Sequence, residues 1–381
     1  QAELITTQPP PQAPRPQSIC VVGGGLVGLA AAWLLSRQGH DVQLLDASLA
    51  ASSDASTETL SGSQAALGLL MAQVYRRSSG RGWRLRQQSL ALWKDWRQEL
   101  QQRGHSLPFR AGLLQLARSD EELLAQRRLV EQRQRQGLPL RMLDPEELEG
   151  LQPALPAAAL GGLFSAADGQ LDPLPAIDAL RADGQRHGLQ GLPERVVRLE
   201  RGEPTGEQRW RLHTAAGLKL TCRWLVLSAG LGSPALLEPL GHPRPQSPVL
   251  GQALELELPA GVPTAEAWPG SVSWGGVNLV PRPGGRLWLG ATLEPLSRCG
   301  DAAALEQLRN LGGCAPPWLR EAQPLRHWQG LRARPDDRPA PLLEQLEPGL
   351  LLAAGHYRNG VLLAPASAAW VAEQIAADQP L

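Results

Sequence analysis

Three glycines and one aspartate near the start of the chain have the types and spacing needed to bind a dinucleotide. Gly23, Gly25 and Gly28 form a G-x-G-x-x-G motif, and Asp46 ends the next apolar segment. The first glycine allows a tight turn, the second lets a pyrophosphate approach the backbone, and the third permits close helix packing. Asp46 is placed to accept hydrogen bonds from ribose hydroxyls. The alternative is a glycine-rich turn that binds nothing.

The elements around this motif are those that such a site requires. The strand Ile19–Val22 leads into the glycines, a helix over Leu26–Arg37 follows, and Val42–Leu45 is a second strand. The helix begins with Leu26 and Val27, whose unpaired N–H groups and positive dipole end favour phosphate. No second G-x-G-x-x-G follows a later strand, so we expect no separate NAD domain.

Length and composition limit the classes of function. The 381 residues suffice for one large or two interleaved domains. Lys and Arg balance Asp and Glu at 37 each, and no basic patch indicates a nucleic-acid partner. The four cysteines show no metal-ligand spacing, so we expect no metal site and a cytoplasmic, reducing setting. Residues 1–18 lack a signal peptide's apolar run, and we expect no membrane span.

The order of predicted elements indicates a mixed fold. Strand–helix segments at both ends of the chain enclose a strand-rich middle. The segment Trp224–Gly230 is predicted to be a buried strand that ends in glycine, and another strand covers Leu350–Ala354 before a terminal helix. Residues 120–136 are charged and predict a solvated helix.

Several longer motifs resemble the FAD-dependent D-amino acid oxidase superfamily, and most closely its glycine oxidase branch. The C-terminal run G-H-Y-R-N-G-V-L-L-A-P is similar to that branch nearly residue for residue, and the resemblance extends from about residue 18 to 376. The matching segments are Pro248–Gln252, Leu279–Arg282, Gly290–Thr292, Trp328–Arg332 and Gly355–Pro365.

The resemblance implies an α/β (α+β) fold, with a Rossmann-like FAD-binding domain and an interleaved antiparallel-sheet substrate domain. Residues 1–17 are predicted to form a flexible Pro-rich leader. The FAD-binding domain is predicted to be discontinuous, over residues 18–75, 145–235 and 325–381. The substrate domain is predicted over residues 76–144 and 236–324.

The resemblance also implies where non-covalently bound FAD lies. Small residues between Gln64 and Leu70 face the isoalloxazine ring, and Val196 holds the adenine unless it is an ordinary strand valine. The C-terminal loop and helix offer backbone N–H groups to the flavin N1/O2 edge. His356 either joins this site or only structures the loop. The residues assigned to the cofactor, beyond the first motif, are Ala65, Ala66, Gly68, Leu69, Val196, Gly230, His356, Asn359, Gly360, Val361 and Leu362.

Two arginines are candidates for the substrate site. Arg332 offers a bidentate fork for a carboxylate, and its alternative is an internal salt bridge to Asp336 or Asp337. The resemblance places Arg358 near flavin and substrate, and its alternative is a loop-anchoring role. Asn278 stands where the glycine oxidase branch has tyrosine.

Departures from the branch predict a roomier, less aromatic pocket. Gly276 replaces a histidine, Asn278 replaces the tyrosine, and the segment Gly230–Ser233 lacks the usual tryptophan. We therefore expect activity on amino acids larger than glycine, or on N-substituted glycines, to match or exceed that on glycine.

The implied function is oxidative deamination of a small amino acid or amine, such as glycine, a D-amino acid or an N-substituted glycine. Oxygen is the expected electron acceptor, giving hydrogen peroxide. One alternative is a dehydrogenase of the same fold that passes electrons to quinone, and another is a non-catalytic flavin-binding protein. A homo-oligomer also stays open.

Overall fold

The computed structural model describes residues 16–50 and 60–378, so most of the predicted leader lies outside the described residues. The strands are β1 Ser18–Val22, β2 Asp41–Leu45, β3 Leu69–Leu70, β4 Phe109–Leu116, β5 Leu140–Leu143, β6 Gly162–Leu171, β7 Gln190–Leu192, β8 Val196–Arg201, β9 Trp210–Thr214, β10 Lys219–Cys222, β11 Trp224–Leu227, β12 Gln246–Glu257, β13 Ser271–Trp274, β14 Val277–Arg282, β15 Arg286–Gly290, β16 Glu294–Pro295, β17 Gln323–Pro335, β18 Leu342–Glu347 and β19 Leu350–Ala354. The α-helices are α1 Leu26–Arg37, α2 Gly62–Ala65, α3 Gly80–Gln102, α4 Asp120–Arg135, α5 Pro145–Glu149, α6 Pro173–Arg186, α7 Ser233–Leu237, α8 Ala302–Arg309, α9 Pro317–Glu321 and α10 Gly360–Ala377.

A six-stranded sheet carries the glycine motif. Its strand order is β18-β19-β11-β1-β2-β7. Strand β1 pairs in parallel with β2 and β11, and β11 pairs in parallel with β19. Strands buried on both faces of a parallel sheet are continuously apolar, and β11 and β19 are buried at every position. The Rossmann-like half of the predicted fold is thereby confirmed.

Helices cover one face of this sheet, and a small sheet covers the other. Helix α1 packs against α10 and α6, and α3 packs against α10. Trp33 of α1 lies edge-on to Trp96 of α3, with ring centroids 4.5 Å apart. On the opposite face, the antiparallel strands β8, β9 and β10 bury Leu199, Trp210 and Leu212 against β1 and β11.

A larger second sheet forms the other half of the fold. Its main path is β16-β12-β15-β14-β13-β4-β6-β3, with β17 added beside β12 and β5 beside β6. Its pairings are antiparallel except that β13 runs parallel to β4. The predicted combination of a Rossmann-like unit and a mainly antiparallel sheet describes the observed architecture.

Three elements depart from the predicted domain boundaries. Helix α3, predicted for the substrate domain, packs on α10 beneath the six-stranded sheet. Strands β6 and β17, predicted for the FAD-binding domain, belong to the large sheet. These placements depend on pairing between distant segments, which leaves no local signal in the sequence. The division into domains remains a prediction.

Two helices differ from their sequence-based description. Helix α4 is mainly solvated as expected, except that Val130 and Arg133 on it are buried. Helix α10 meets the length and hydropathy criteria for a membrane span, which no stretch was expected to reach, but 61% of it is buried inside the fold. Its apolar composition serves its packing between α1 and α3.

Candidate active site

A cavity of about 1580 Å³ lies between the two sheets and extends from the glycine motif to strand β17. Most of the residues predicted for cofactor and substrate line it. These are Gly23, Gly25, Val27, Asp46, Ala65, Ala66, Gly68, Leu69, Val196, Gly230, Asn278, Arg332, His356, Arg358, Asn359, Gly360 and Val361. Leu26, Gly28 and Leu362 do not line it, because α1 and α10 turn them into the core.

Each of the three positions of the motif requires glycine for a different structural reason. Gly23 has φ +109°, and a Cβ on it would collide with the Ser228 carbonyl. A Cβ on Gly28 would collide with the Gly23 carbonyl, since α1 lies directly on β1. A Cβ on Gly25 would meet only the Ser63 hydroxyl, at 3.3 Å. Gly25 alone therefore keeps space open toward the cavity, as an approaching pyrophosphate requires.

The polar groups beside Gly25 suit a dinucleotide. Asp46 accepts a hydrogen bond from the Gly24 N–H at 2.5 Å, and its other oxygen accepts one from Ser48 N–H at 2.8 Å. The Ser63 hydroxyl accepts the Leu26 N–H at 2.9 Å at the start of α1. No local pattern indicated Ser63, because its contact with α1 spans 37 residues of the sequence.

The segment with α2 is fastened to strand β17. The Trp328 indole N–H donates to the Ala65 carbonyl at 3.0 Å. Leu60 N–H donates to the Gln329 carbonyl at 3.0 Å, and a Cβ on Gly330 would collide with the Ala65 side chain. Strand β17 therefore holds this segment in place and also carries Arg332. The family resemblance implies that the same segment faces the isoalloxazine ring.

A proline removes a backbone hydrogen bond from the first turn of α10, and side chains of α3 supply replacement donors. Pro365 has no N–H, so the Val361 carbonyl has no partner in the helix. The Trp93 indole N–H donates to that carbonyl at 2.9 Å. The Ser89 hydroxyl donates to the Leu362 carbonyl at 2.6 Å. The start of α10, which lines the cavity at Asn359–Val361, is thereby fixed from outside the helix.

Arg332 forms no salt bridge with an acidic residue among the described residues. Its guanidinium donates to the carbonyls of Leu250 and Thr292 at 3.3 and 3.2 Å. The alternative salt bridge to Asp336 or Asp337 is not formed among the described residues, where Asp337 pairs instead with Arg338.

The space around Arg332 is shaped for its guanidinium. A Cβ on Gly251 would lie 2.5 Å from that group, so only glycine leaves room for it. Burial lowers the pKa of Arg332, the positive charge of Arg358 lowers it further, and the attraction of Glu294 is a smaller opposing effect. The site thus holds a partly desolvated cation beside a second cation.

Arg358 and its neighbour Tyr357 lie in the loop between β19 and α10. Tyr357 has φ +55°, a strained conformation for a side chain of this size, and its N–H donates to the Ala333 carbonyl at 3.2 Å. This bond brings the loop beside Arg332, the neighbour of Ala333 on β17. The sequence prediction missed Tyr357, although it lines the cavity.

Asn278 and His356 differ in how their polar atoms are used. Asn278 on β14 lines the cavity, but its side-chain oxygen is buried and has no hydrogen-bond partner among the described residues. His356 shares a 2.7 Å hydrogen bond with the Ser367 hydroxyl, and burial lowers its pKa to about 3. His356 is therefore a neutral group whose ring joins its loop to α10.

The described ranges contain no group of three or more His, Cys, Asp or Glu side chains that could hold a metal ion. The arrangement instead combines a phosphate-compatible helix start, a long cavity and two arginines that have no acidic partner within the described part of the chain. Such an arrangement can bind a dinucleotide and present an anionic small molecule to it.

Comparison with known proteins agrees with this description. Residues 18–374 match the family described as FAD dependent oxidoreductase, DAO. Glycine oxidase of Geobacillus kaustophilus is 28% identical over 363 residues, covering 94% of this chain and 92% of that protein. Hydrogen cyanide synthase subunit HcnC of Pseudomonas aeruginosa is 28% identical over 388 residues, covering 91% and 89%. The crystal structure of the Geobacillus glycine oxidase has a TM-score of 0.83 at 27% identity, covering 96% and 95%.

Proposed function

The chain belongs to the family of FAD-dependent oxidoreductases and is a flavin enzyme, and we propose that it oxidatively deaminates a small amino acid. Glycine, a D-amino acid or an N-substituted glycine is the proposed substrate. When bound, FAD would supply the oxidising chemistry, by accepting a hydride from the substrate Cα at flavin N5. Water would hydrolyse the imino acid to a 2-oxo acid and ammonia, or to a primary amine from an N-substituted glycine, and oxygen would accept the two electrons as hydrogen peroxide.

The observation that carries this proposal is the pair of arginines in one cavity. Arg332 is partly desolvated, lies beside the charge of Arg358, and has only backbone carbonyls as hydrogen-bond acceptors among the described residues. A bound carboxylate would relieve the repulsion and use the free part of the guanidinium fork. Arg332 is accordingly the proposed carboxylate anchor, and Arg358 the second, more exposed cation.

The proposed cofactor contacts follow the length of the cavity. Gly25 and the start of α1 would hold the pyrophosphate, Asp46 the ribose, and Val196 the adenine. At the other end, the first-turn N–H groups of Gly360 and Val361 would face the flavin N1/O2 edge, where a helix start favours negative charge. The small residues Ala65, Ala66, Gly68 and Leu69 would lie against the ring system.

The proposed chemistry depends on orientation and does not need a strong base. His356 is neutral over the ordinary pH range and its ring is bonded to Ser367, so it is not assigned a proton-transfer role. If the substrate amine enters uncharged, Arg332 only has to fix the carboxylate so that the Cα–H faces the ring. Such positioning is an established source of rate acceleration.

Substrate size is a further part of the proposal. A Cβ on Gly276 would meet nothing within 4 Å, and Asn278, which lines the cavity, is smaller than the tyrosine that the glycine oxidase branch has there. These features support substrates larger than glycine, or substituted on nitrogen. Oxygen as acceptor and a cytoplasmic location also belong to this proposal, and the four free cysteines suit a reducing compartment.

The test is a panel of amino acids, N-methyl amino acids and matched amines, mixed anaerobically with the FAD-loaded enzyme. We expect amino acids to bleach the flavin absorbance, and peroxide to appear when air is admitted. Reoxidation by oxygen and by a quinone, compared in a stopped-flow instrument, would separate an oxidase from a dehydrogenase. Bleaching by amines alone would contradict an amino-acid substrate, and no bleaching by any compound would favour a non-catalytic flavoprotein.

A further inference from the structure

The loop between β3 and α3, residues 71–79, forms part of the cavity wall and is fixed by a buried carboxylate. Asp168 on β6 is fully buried and accepts the N–H groups of Ala72 at 2.8 Å, Gln73 at 2.9 Å and Val74 at 3.1 Å. A carboxylate is placed in such a site only at a cost in desolvation. The three hydrogen bonds offset part of this cost and fix the backbone conformation of the loop.

A buried cation fixes the same loop through its carbonyls. Arg133 on α4 donates to the Gln73 carbonyl at 2.8 Å and the Arg77 carbonyl at 3.1 Å, and also to the Tyr75 carbonyl. Its guanidinium lies over the ring of Trp83, 4.2 Å from the centroid. The loop is thus held rigidly from both its N–H and its carbonyl sides.

This rigid loop supports an arginine that faces the cavity. The Arg86 guanidinium lies 3.9 Å from the centroid of the Tyr75 ring and donates to the Gly82 carbonyl at 3.0 Å. A Cβ on Gly82 would lie 2.9 Å from the Tyr75 hydroxyl, so glycine makes room for the pair. Tyr75 and Arg86 both line the cavity, and exposed Arg76 joins them there.

Arg86 lies on the side of α3 that packs against the first turn of α10. Ser89 and Trp93, three and seven residues further along α3, bind the carbonyls of the first turn of α10. Residues at this spacing share one helix face. No carboxylate pairs with Arg86 in the part of the chain that the structure describes, and burial lowers its pKa. Its only described partners are the Gly82 carbonyl and the Tyr75 ring.

We propose that Arg86, supported by the Tyr75 ring and joined by Arg76, binds a second anionic group of the substrate. The preferred substrates are then amino acids with a further carboxylate, on the side chain or on the nitrogen. This inference rests on the proposed function, in which Arg332 takes the α-carboxylate. Two separate guanidinium forks in one cavity match the two ends of a dicarboxylate.

The experiment compares acidic and neutral substrates on the FAD-loaded full chain, by anaerobic flavin reduction. The pairs are D-aspartate with D-alanine, and N-carboxymethylglycine with N-methylglycine. We expect the acidic member to have a kcat/KM at least about tenfold higher. Arg86→Met should lower that ratio at least about tenfold, mainly through the KM of the acidic member. Arg84→Met is the matched control, since Arg84 is exposed on the same helix and does not line the cavity.

A second measurement needs no variant. Succinate should inhibit the wild-type enzyme at least about tenfold more tightly than butyrate, which lacks the second carboxylate. Equal inhibition by the two would overturn the proposal, as would a substrate ratio that Arg86→Met leaves unchanged, or FAD loss in that variant. Reduction by neutral amino acids with no acidic preference would overturn it while leaving the proposed function intact. If no amino acid reduces the flavin, both this inference and the proposed function are contradicted.

Discussion

The two ends of the cavity are built in different ways. At the cofactor end, the contacts come from the backbone of consecutive elements, β1, α1 and β2, and depend on glycines that admit no side chain. At the proposed substrate end, side chains from distant segments line the cavity: Arg332 from β17, Arg358 from the last loop, and Arg86 from α3. The first end is a local structure, whereas the second exists only when the whole chain has folded.

Because the two ends are built differently, we expect substitutions to act differently at each. Changes at the cofactor end act through steric exclusion, because a new Cβ meets either backbone or the bound cofactor. Changes at the substrate end remove one charged contact while the scaffold remains. Substitutions can therefore be chosen to affect folding, cofactor binding or substrate binding separately.

The largest expected effects come from two glycines of the same motif. Gly28→Val should lower the free energy of unfolding by about 3 kcal/mol, because its Cβ collides with the Gly23 carbonyl. Gly25→Val should change the unfolding free energy of the FAD-free protein by less than about 1 kcal/mol, yet weaken FAD binding at least about 100-fold. Thermal unfolding and FAD titration measure the two. Equal destabilisation by both changes would contradict the separate roles.

The sequence predicted the elements around the glycine motif, for a physical reason. Glycine spacing, helix start and terminal acid are local features, and each was placed at the cavity or directly under it. The sequence could not predict that Ser63 caps α1, that Trp328 binds the Ala65 carbonyl, or that Tyr75 supports Arg86. Those contacts depend on tertiary packing. Arg332 was found only because its motif resembles a known family.

Substitution of Arg332 tests the substrate end. Arg332→Ala should raise the KM of carboxylate substrates by roughly 10- to 100-fold, since a charge-assisted bidentate contact is lost. FAD content should stay near normal, and turnover of matched amines should change little. Steady-state kinetics with both substrate classes measure this. A larger effect of Arg358→Ala than of Arg332→Ala would mean that the two arginines have been assigned in the wrong order.

Substitution of His356 tests whether this residue of the last loop contributes to stability rather than to the reaction. Its pKa is lowered from 6.5 to about 3 by burial, so the unfolded chain binds a proton below about pH 6.5 and the folded protein does not. Unfolding free energy should therefore fall as pH is lowered through this window, by about 1 kcal/mol per pH unit from this group. His356→Gln should remove that part of the dependence between pH 7 and 4. A constant difference between variant and wild type would contradict the buried neutral imidazole.

The smallest effect concerns the strand that joins the two ends. Trp328→Phe removes the indole donor to the Ala65 carbonyl and should weaken FAD binding by about 2- to 10-fold. Trp288→Phe is the matched control, because its indole N–H is buried with no partner among the described residues and its ring lies edge-on to Trp328. FAD dissociation constants of the two variants measure this contact. If both variants weaken binding equally, ring volume matters and the hydrogen bond does not.

The central claim is that Arg332 holds a carboxylate in the same cavity that holds the flavin. The most direct measurement is titration of the oxidised, FAD-loaded enzyme with acetate, an unreactive carboxylate, while the visible flavin absorbance is recorded. We expect a saturable spectral change in the wild type, and acetate binding at least about tenfold weaker in Arg332→Ala at equal FAD content. No spectral change in the wild type, or the same dissociation constant in both proteins, would contradict it.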